Sequence, residues 1–187
     1  MRELLRLQLG GSFNLLIEVV DSLSDEEWTA RPRQGANLLG FTAWHGARII
    51  DWATNHVLRN RDELADKAEW QDLNVPDGLF GAGIPIDHAD WAVRQVARSR
   101  LRSYLVALRD DTLPWFDSLP SDALFIPVDL ERGRIRKPEY HADGVWSEIS
   151  DLNGIPTWQF IARPCVGHIR VHYGAVMEQL ESVRLPG

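Results

Sequence analysis

A chain of 187 residues, 44% hydrophobic and 25% charged, has the makeup of an ordinary globular protein, long enough for one sizeable core. Its formal charge of −7 provides no positive field to gather phosphates, which excludes non-specific nucleic-acid binding and leaves no nucleic-acid or anionic-membrane partner expected. No apolar run reaches bilayer-spanning length, the segment Met1 to Arg6 is charged rather than signal-like, and the single cysteine, Cys165, excludes an intrachain disulfide, so one cytoplasmic domain over residues 1–187 is the expectation.

Apolar residues recur near a 3.6 period from Leu4 to Leu23, which predicts a first helix over Arg2 to Leu23. Gly10 and Gly11 cost that helix about 2 kcal/mol relative to alanines and mark a bend or a close helix contact. Ser24-Asp25-Glu26-Glu27 reads as a capping box that opens a short turn through Trp28.

Asn37 is the expected cap of a second long helix, whose inward seam runs Leu38, Thr42, His45, Ile49, Trp52 and His56. His45 therefore sits in an apolar stripe, where both ring nitrogens need partners. A metal on one nitrogen answers this, and so does a hydrogen bond to neighbouring backbone or to Trp28. Residues from Asn60 to Ile86 are rich in turn chemistry, with Asn74-Val75-Pro76-Asp77-Gly78 and Gly81-Ala82-Gly83-Ile84-Pro85, and form a candidate lid or rim.

A third helix is expected from His88 to about Arg109, capped by Asp87 and kinked or restarted around Asp110 to Pro114. His88 lies in its first turn, a cap or surface position. Between Pro120 and Pro156 the periodicity fails, and Phe125 to Val128 with Arg134-Ile135 suggests a small hairpin around Glu131-Arg132-Gly133. The basic run Arg132, Arg134, Arg136 and Lys137 reads as a solvated loop face or, if placed over a site, as a holder of an anionic ligand. Asn153-Gly154 makes a turn, Pro156-Thr157 begins the last helix, and Pro164 kinks it on its way to about Val183.

On that last helix His168 and His172 stand four apart, one turn above the other on one face, so two imidazoles can reach one divalent ion such as zinc, nickel or cobalt. Cys165 lies one turn before them, as a small buried hydrophobe or as a further ligand. Four amphipathic helices carrying His45 on the second and His168 and His172 on the fourth allow three imidazoles to meet at one ion in the core of a bundle. Asp51 and Glu178 fall off these stripes, so the seam offers no evident general base.

The segments Asn37-Leu38-Leu39-Gly40-Phe41-Thr42-Ala43-Trp44-His45-Gly46-Ala47-Arg48 and His168-Ile169-Arg170-Val171-His172-Tyr173-Gly174-Ala175-Val176 resemble the DinB-like superfamily, which includes mycothiol-dependent maleylpyruvate isomerase and bacillithiol transferase relatives. The resemblance implies an all-α four-helix bundle of up-down-down-up connection with long irregular loops, often a homodimer. It implies a divalent metal, zinc or nickel, on His45, His168 and His172. It also implies S-transfer or isomerisation with a low-molecular-weight thiol and an electrophilic substrate. A metal-dependent hydrolase variant, and a non-catalytic bundle that binds metal or a small ligand, are the alternatives. The long loops from Asn60 to Ile86 and from Pro120 to Pro156 are expected to make the substrate contacts.

Overall fold

The computed structural model describes residues 1–184. The fold is all-α: 72% of the chain is helical, with no strand among the described residues. Helix α1 (Arg2–Ser22) buries Leu5, Leu9, Phe13, Leu16 and Val19–Val20, the i, i+4 and i+3 positions of one stripe, against α5, α3 and α8, whose ranges follow. It runs unbroken through Gly10 and Gly11, where an added Cβ would come no nearer than 3.5 Å and 4.0 Å to another atom, so the close contact expected there is not made. The tight approach is made instead by Gly46, where a Cβ would come within 2.5 Å of Leu16 Cδ2; the missing side chain is what lets α3 sit down on α1.

The predicted capping box is formed. Ser24 Oγ accepts from the Glu27 amide at 3.1 Å while the Glu27 carboxylate accepts from the Ser24 amide at 2.7 Å, opening α2 (Asp25–Trp28). The second long helix does not start at Asn37. The Leu39 and Gly40 amides donate back to the Ala30 and Trp28 carbonyls at 3.0 Å each, which holds the chain in a turn until α3 begins at Phe41. Helix α3 (Phe41–Asp51) is sheathed almost completely and continues as a wider π-helical segment, Trp52–Leu58.

The third helix is in fact two: α4 (Ile86–Gln95) and α5 (Arg98–Ser118), separated by extended Val96 and Ala97. No glycine or proline breaks the chain there. The break is set by tertiary contacts: Val96 is buried, the Val93 carbonyl accepts from the Trp28 indole at 3.1 Å, and Arg98 reaches the Leu23 carbonyl and Asp25. Conversely, α5 passes through Pro114 without stopping. The carbonyl of Asp110 that the proline leaves unpaired belongs to an exposed residue, where water can serve it.

The hairpin expected around Glu131 to Gly133 is absent. That stretch is a set of single 3₁₀ turns, Asp122–Phe125, Glu131–Gly133 and Pro138–His141, followed by α6 (Asp143–Ile149) and a further turn, Ser150–Leu152. Residues 126–128 pair instead with residues 154–157, through Val128 to Ile155 at 2.9 Å, Gly154 to Val128 at 2.8 Å and Thr157 to Ile126 at 2.9 Å. The last helical run begins as predicted at Thr157. It comprises α7 (Thr157–Phe160), a π-helical segment Ile161–Gly167 that absorbs Pro164, and α8 (His168–Arg184).

Two buried ionic groups on α3 fasten both irregular segments to the helices. The Asp51 carboxylate accepts from the Leu64 and Ala65 amides at 2.9 Å each, from Asn55 Nδ2 at 2.6 Å and from the Tyr104 hydroxyl. Arg48, fully buried, stands 3.0 Å from Glu63 and 3.5 Å from Asp51. Glu63 also accepts from the Tyr140 hydroxyl at 2.6 Å, so the segments at 60–86 and 120–156 meet at one buried carboxylate. Two carboxylates share one guanidinium there, and burial raises the Glu63 pKa to about 7 against the pull of Arg48.

Candidate metal centre

The π-helical segments and the glycine-rich loop place three imidazoles together. His45 lies mid-way along α3, and His168 and His172 occupy the first turns of α8, immediately after the π-helical segment that carries Pro164. One ring nitrogen from each can be chosen so that all lie within 4.8 Å of one another. His45 Nε2 and His168 Nε2 are 3.0 Å apart, and ring centroids stand 5.1 Å (His45–His168), 5.1 Å (His45–His172) and 4.3 Å (His168–His172) from one another. Two nitrogens bonded to one zinc at about 2.0–2.1 Å are themselves about 3.0–3.4 Å apart, so the spacing suits a shared ion.

The electrostatics suit it as well. Burial pushes the His45 pKa well below the ordinary imidazole value, with a further push from His168 and His172. Burial lowers His168 to about 4, and lowers His172 in the same sense. All three rings are therefore neutral at physiological pH, the state in which imidazole ligates metal. The remaining nitrogen of His45, Nδ1, is buried and has no hydrogen-bond partner. The Phe80 backbone lies close enough to favour its N–H but falls short of hydrogen-bond geometry, and the bond to Trp28 that the sequence allowed is not made, since the Trp28 indole donates to Val93. A neutral imidazole whose Nδ1–H faces the Phe80 backbone leaves Nε2 as the free electron pair, directed at His168.

Beside the triad opens a cavity of about 460 Å³. Phe41, stacked on His45 at 5.3 Å, and Trp52, stacked on Phe80 at 4.5 Å, form its aromatic walls, with Ile49, Ile149, Leu152 and Pro164 adding apolar surface. Both long irregular segments reach it as expected: the first contributes Phe80 to Ile84 and the second Glu148 to Leu152. Its charged side chains are Glu148, Asp151 and Arg163. Glu148 accepts from the Gly83 amide at 3.0 Å, and Arg163 pairs with Asp151.

Several candidates fall elsewhere. Cys165 is fully buried and outside the converging ligand atoms, and burial raises its thiol pKa far above the ordinary value, so it is the small hydrophobe of the two readings. The basic run is not over the centre. Arg136 donates to the His56 carbonyl at 3.0 Å and to Asn60 at 2.9 Å, Lys137 meets Asp66 at 2.6 Å, Arg134 meets Glu131 at 3.1 Å, and none of the four lines the cavity. His88 pairs with Asp77 at 2.6 Å, which raises its pKa, as suits a surface position. Asp51 is engaged in the Arg48 network and Glu178 is exposed, consistent with neither serving the site.

Glu148 and Asp151 escape sequence reasoning because Glu148 lies in an unrecognised helix, α6, and Asp151 in the turn that follows it. The spacing Val145, Ile149, Leu152 is its legible signal. Comparison with known proteins brings no assignment, for no protein-family model and no curated protein matches this chain.

Proposed function

We propose that this chain is a DinB-like four-helix bundle, connected up-down-down-up, in which His45, His168 and His172 hold a divalent ion, zinc or nickel, for an S-transfer or isomerisation that uses a low-molecular-weight thiol. The observation that carries the reading is the convergence of three neutral imidazoles, His45 buried and His168 and His172 half-buried, 123 residues apart in sequence for His45 and His168, in the wall of a cavity. An ion held there with open positions supplies Lewis acidity that lowers the pKa of a coordinated thiol or water.

The chain's own groups do the rest. The Phe41 ring, stacked on His45, holds the plane of the imidazole, the nearby Phe80 backbone favours the Nδ1–H tautomer, and the aromatic walls exclude water around the bound substrate. Glu148 and Asp151 line the cavity, engaged by the Gly83 amide and by Arg163, and neither belongs to the triad, so among the described residues no carboxylate joins the ligand set. That favours thiol chemistry, in which the nucleophile is generated by coordination, over hydrolysis, in which a base assists the attacking water. A closed structural site has no need of a neighbouring cavity, which favours turnover over a purely structural metal.

The test is elemental analysis of protein purified without a histidine tag, followed by thermal shifts of the zinc-loaded chain with mycothiol, bacillithiol, glutathione and coenzyme A. About one metal per chain and a stabilising shift with one thiol are expected. Absence of metal in both purified and zinc-titrated protein overturns the proposal.

A further inference from the structure

The charges around the cavity narrow what can enter it. Three charged side chains line it: the carboxylates of Glu148 and Asp151 and the guanidinium of Arg163. Arg163 is already paired with Asp151, which leaves Glu148 uncompensated. One Glu148 oxygen is held by the Gly83 amide at 3.0 Å, and the other has no partner among the described residues. The Lys, Arg, Asp and Glu side chains of the lining therefore sum to a single negative charge, with an accepting oxygen of the exposed Glu148 to spare, in the cavity that His45, His168 and His172 also line. Trp52 and Phe80, stacked at 4.5 Å, line the same cavity. Among the described residues Arg163 is the one Lys or Arg side chain lining the cavity, and it is engaged by Asp151, while the basic run lies outside.

Resting on the metal-centre reading above, we infer that the cavity selects a molecule with a metal-binding donor at one end, an apolar or aromatic middle, and a neutral or cationic group at the Glu148 rim, and that it discriminates against anionic substrates. A carboxylate-bearing ligand would meet the exposed Glu148 carboxylate as a like charge, with the neighbouring Arg163 already engaged by Asp151. A ligand ammonium would find the spare Glu148 oxygen as a charge-assisted acceptor. Glu148 is thus a specificity-determining residue, held in place by the Gly83 amide.

The test uses three para-substituted phenylmethanethiols, bearing aminomethyl, hydrogen or carboxylate, titrated into the zinc-loaded chain by calorimetry at neutral pH and low salt. The expected order is aminomethyl, then hydrogen, then carboxylate, with roughly tenfold between neighbours, the size of one partly screened Coulomb contact. Glu148→Gln keeps an acceptor for the Gly83 amide and should compress the series to within about threefold. Arg163→Gln, which removes the only cation at the rim, should widen it.

A flat series, a carboxylate that binds tightest, or no binding of any of the three to zinc-loaded protein overturns the inference while leaving the metal centre standing. Failure of zinc itself to bind instead removes the functional reading on which it rests.

Discussion

A Cβ placed on Gly81 would stand 1.9 Å from His45 Nδ1, and Gly81 itself has φ +112°, so backbone and imidazole occupy a space that no other residue type allows. Gly81→Ala is expected to turn the His45 ring and weaken zinc affinity at least tenfold, with a stability loss of about 1–3 kcal/mol. Gly154→Ala is the matched control, having φ +80° but nothing within 4 Å of the new Cβ. It should carry the strain alone and leave zinc affinity unchanged, as read by competition against a zinc-sensitive dye. Equal affinity losses in both variants would remove the special role of the Gly81 contact.

The state of the three imidazoles fixes how metal binding responds to acid. An exposed cluster of three ordinary histidines loses about fiftyfold in affinity between pH 7.5 and 6.0 from protonation of the free rings. Burial has lowered His45, His168 and His172, so little proton competition remains in that range. Zinc affinity should fall by less than about threefold between those two pH values. His172→Ala should lower it at least about a hundredfold at either.

Without metal, acid should destabilise the fold. Burial lowers the pKa of His56 to about 4, as it does that of His168, so between pH 6.5 and 4 the unfolded chain binds protons that the folded chain refuses. Each such group removes up to about 1.4 kcal/mol per pH unit as the pH falls through that window. Glu63 acts in the opposite sense: its folded pKa, raised to about 7, gives stability that is complete below about pH 4.5 and lost as the pH rises through 7. His88, raised by Asp77, also opposes the loss. Urea unfolding of the metal-free protein should show a net fall of at least about 2 kcal/mol from pH 6.5 to 4.5, and Glu63→Gln should steepen the slope.

Arg48, fully buried, is the one cation among the described residues that forms an ion pair with both Asp51 and Glu63. Arg48→Met leaves two buried carboxylates without their shared ion-pair partner and should cost about 3–5 kcal/mol. Adding Glu63→Gln removes one of the two, and the double variant should recover at least about 1 kcal/mol relative to Arg48→Met alone. Thermal denaturation of the three proteins measures the coupling. Strict additivity would show that the pair does not act as a unit.

The sequence by itself determined what depends on local periodicity and capping: α1, the Ser24 box, the helix opening at Thr157, and the placement of His168 and His172 one turn apart. It also marked His45 as a polar intruder on an apolar stripe, because a buried imidazole must have a reason on both nitrogens. Tertiary structure decided the rest. The break at Val96 is made by Trp28 and Arg98, and the late start of α3 by carbonyls at Trp28 and Ala30, contacts that no local pattern encodes. The basic run is drawn away from the centre by Asp66 and the His56 carbonyl, and Glu148 is brought to it by a helix inside an irregular stretch. Helical spacing fixes which residues share a face over one or two turns. Which faces meet across 123 residues, and which charges end up beside them, is set by the packing of elements that are distant in the chain.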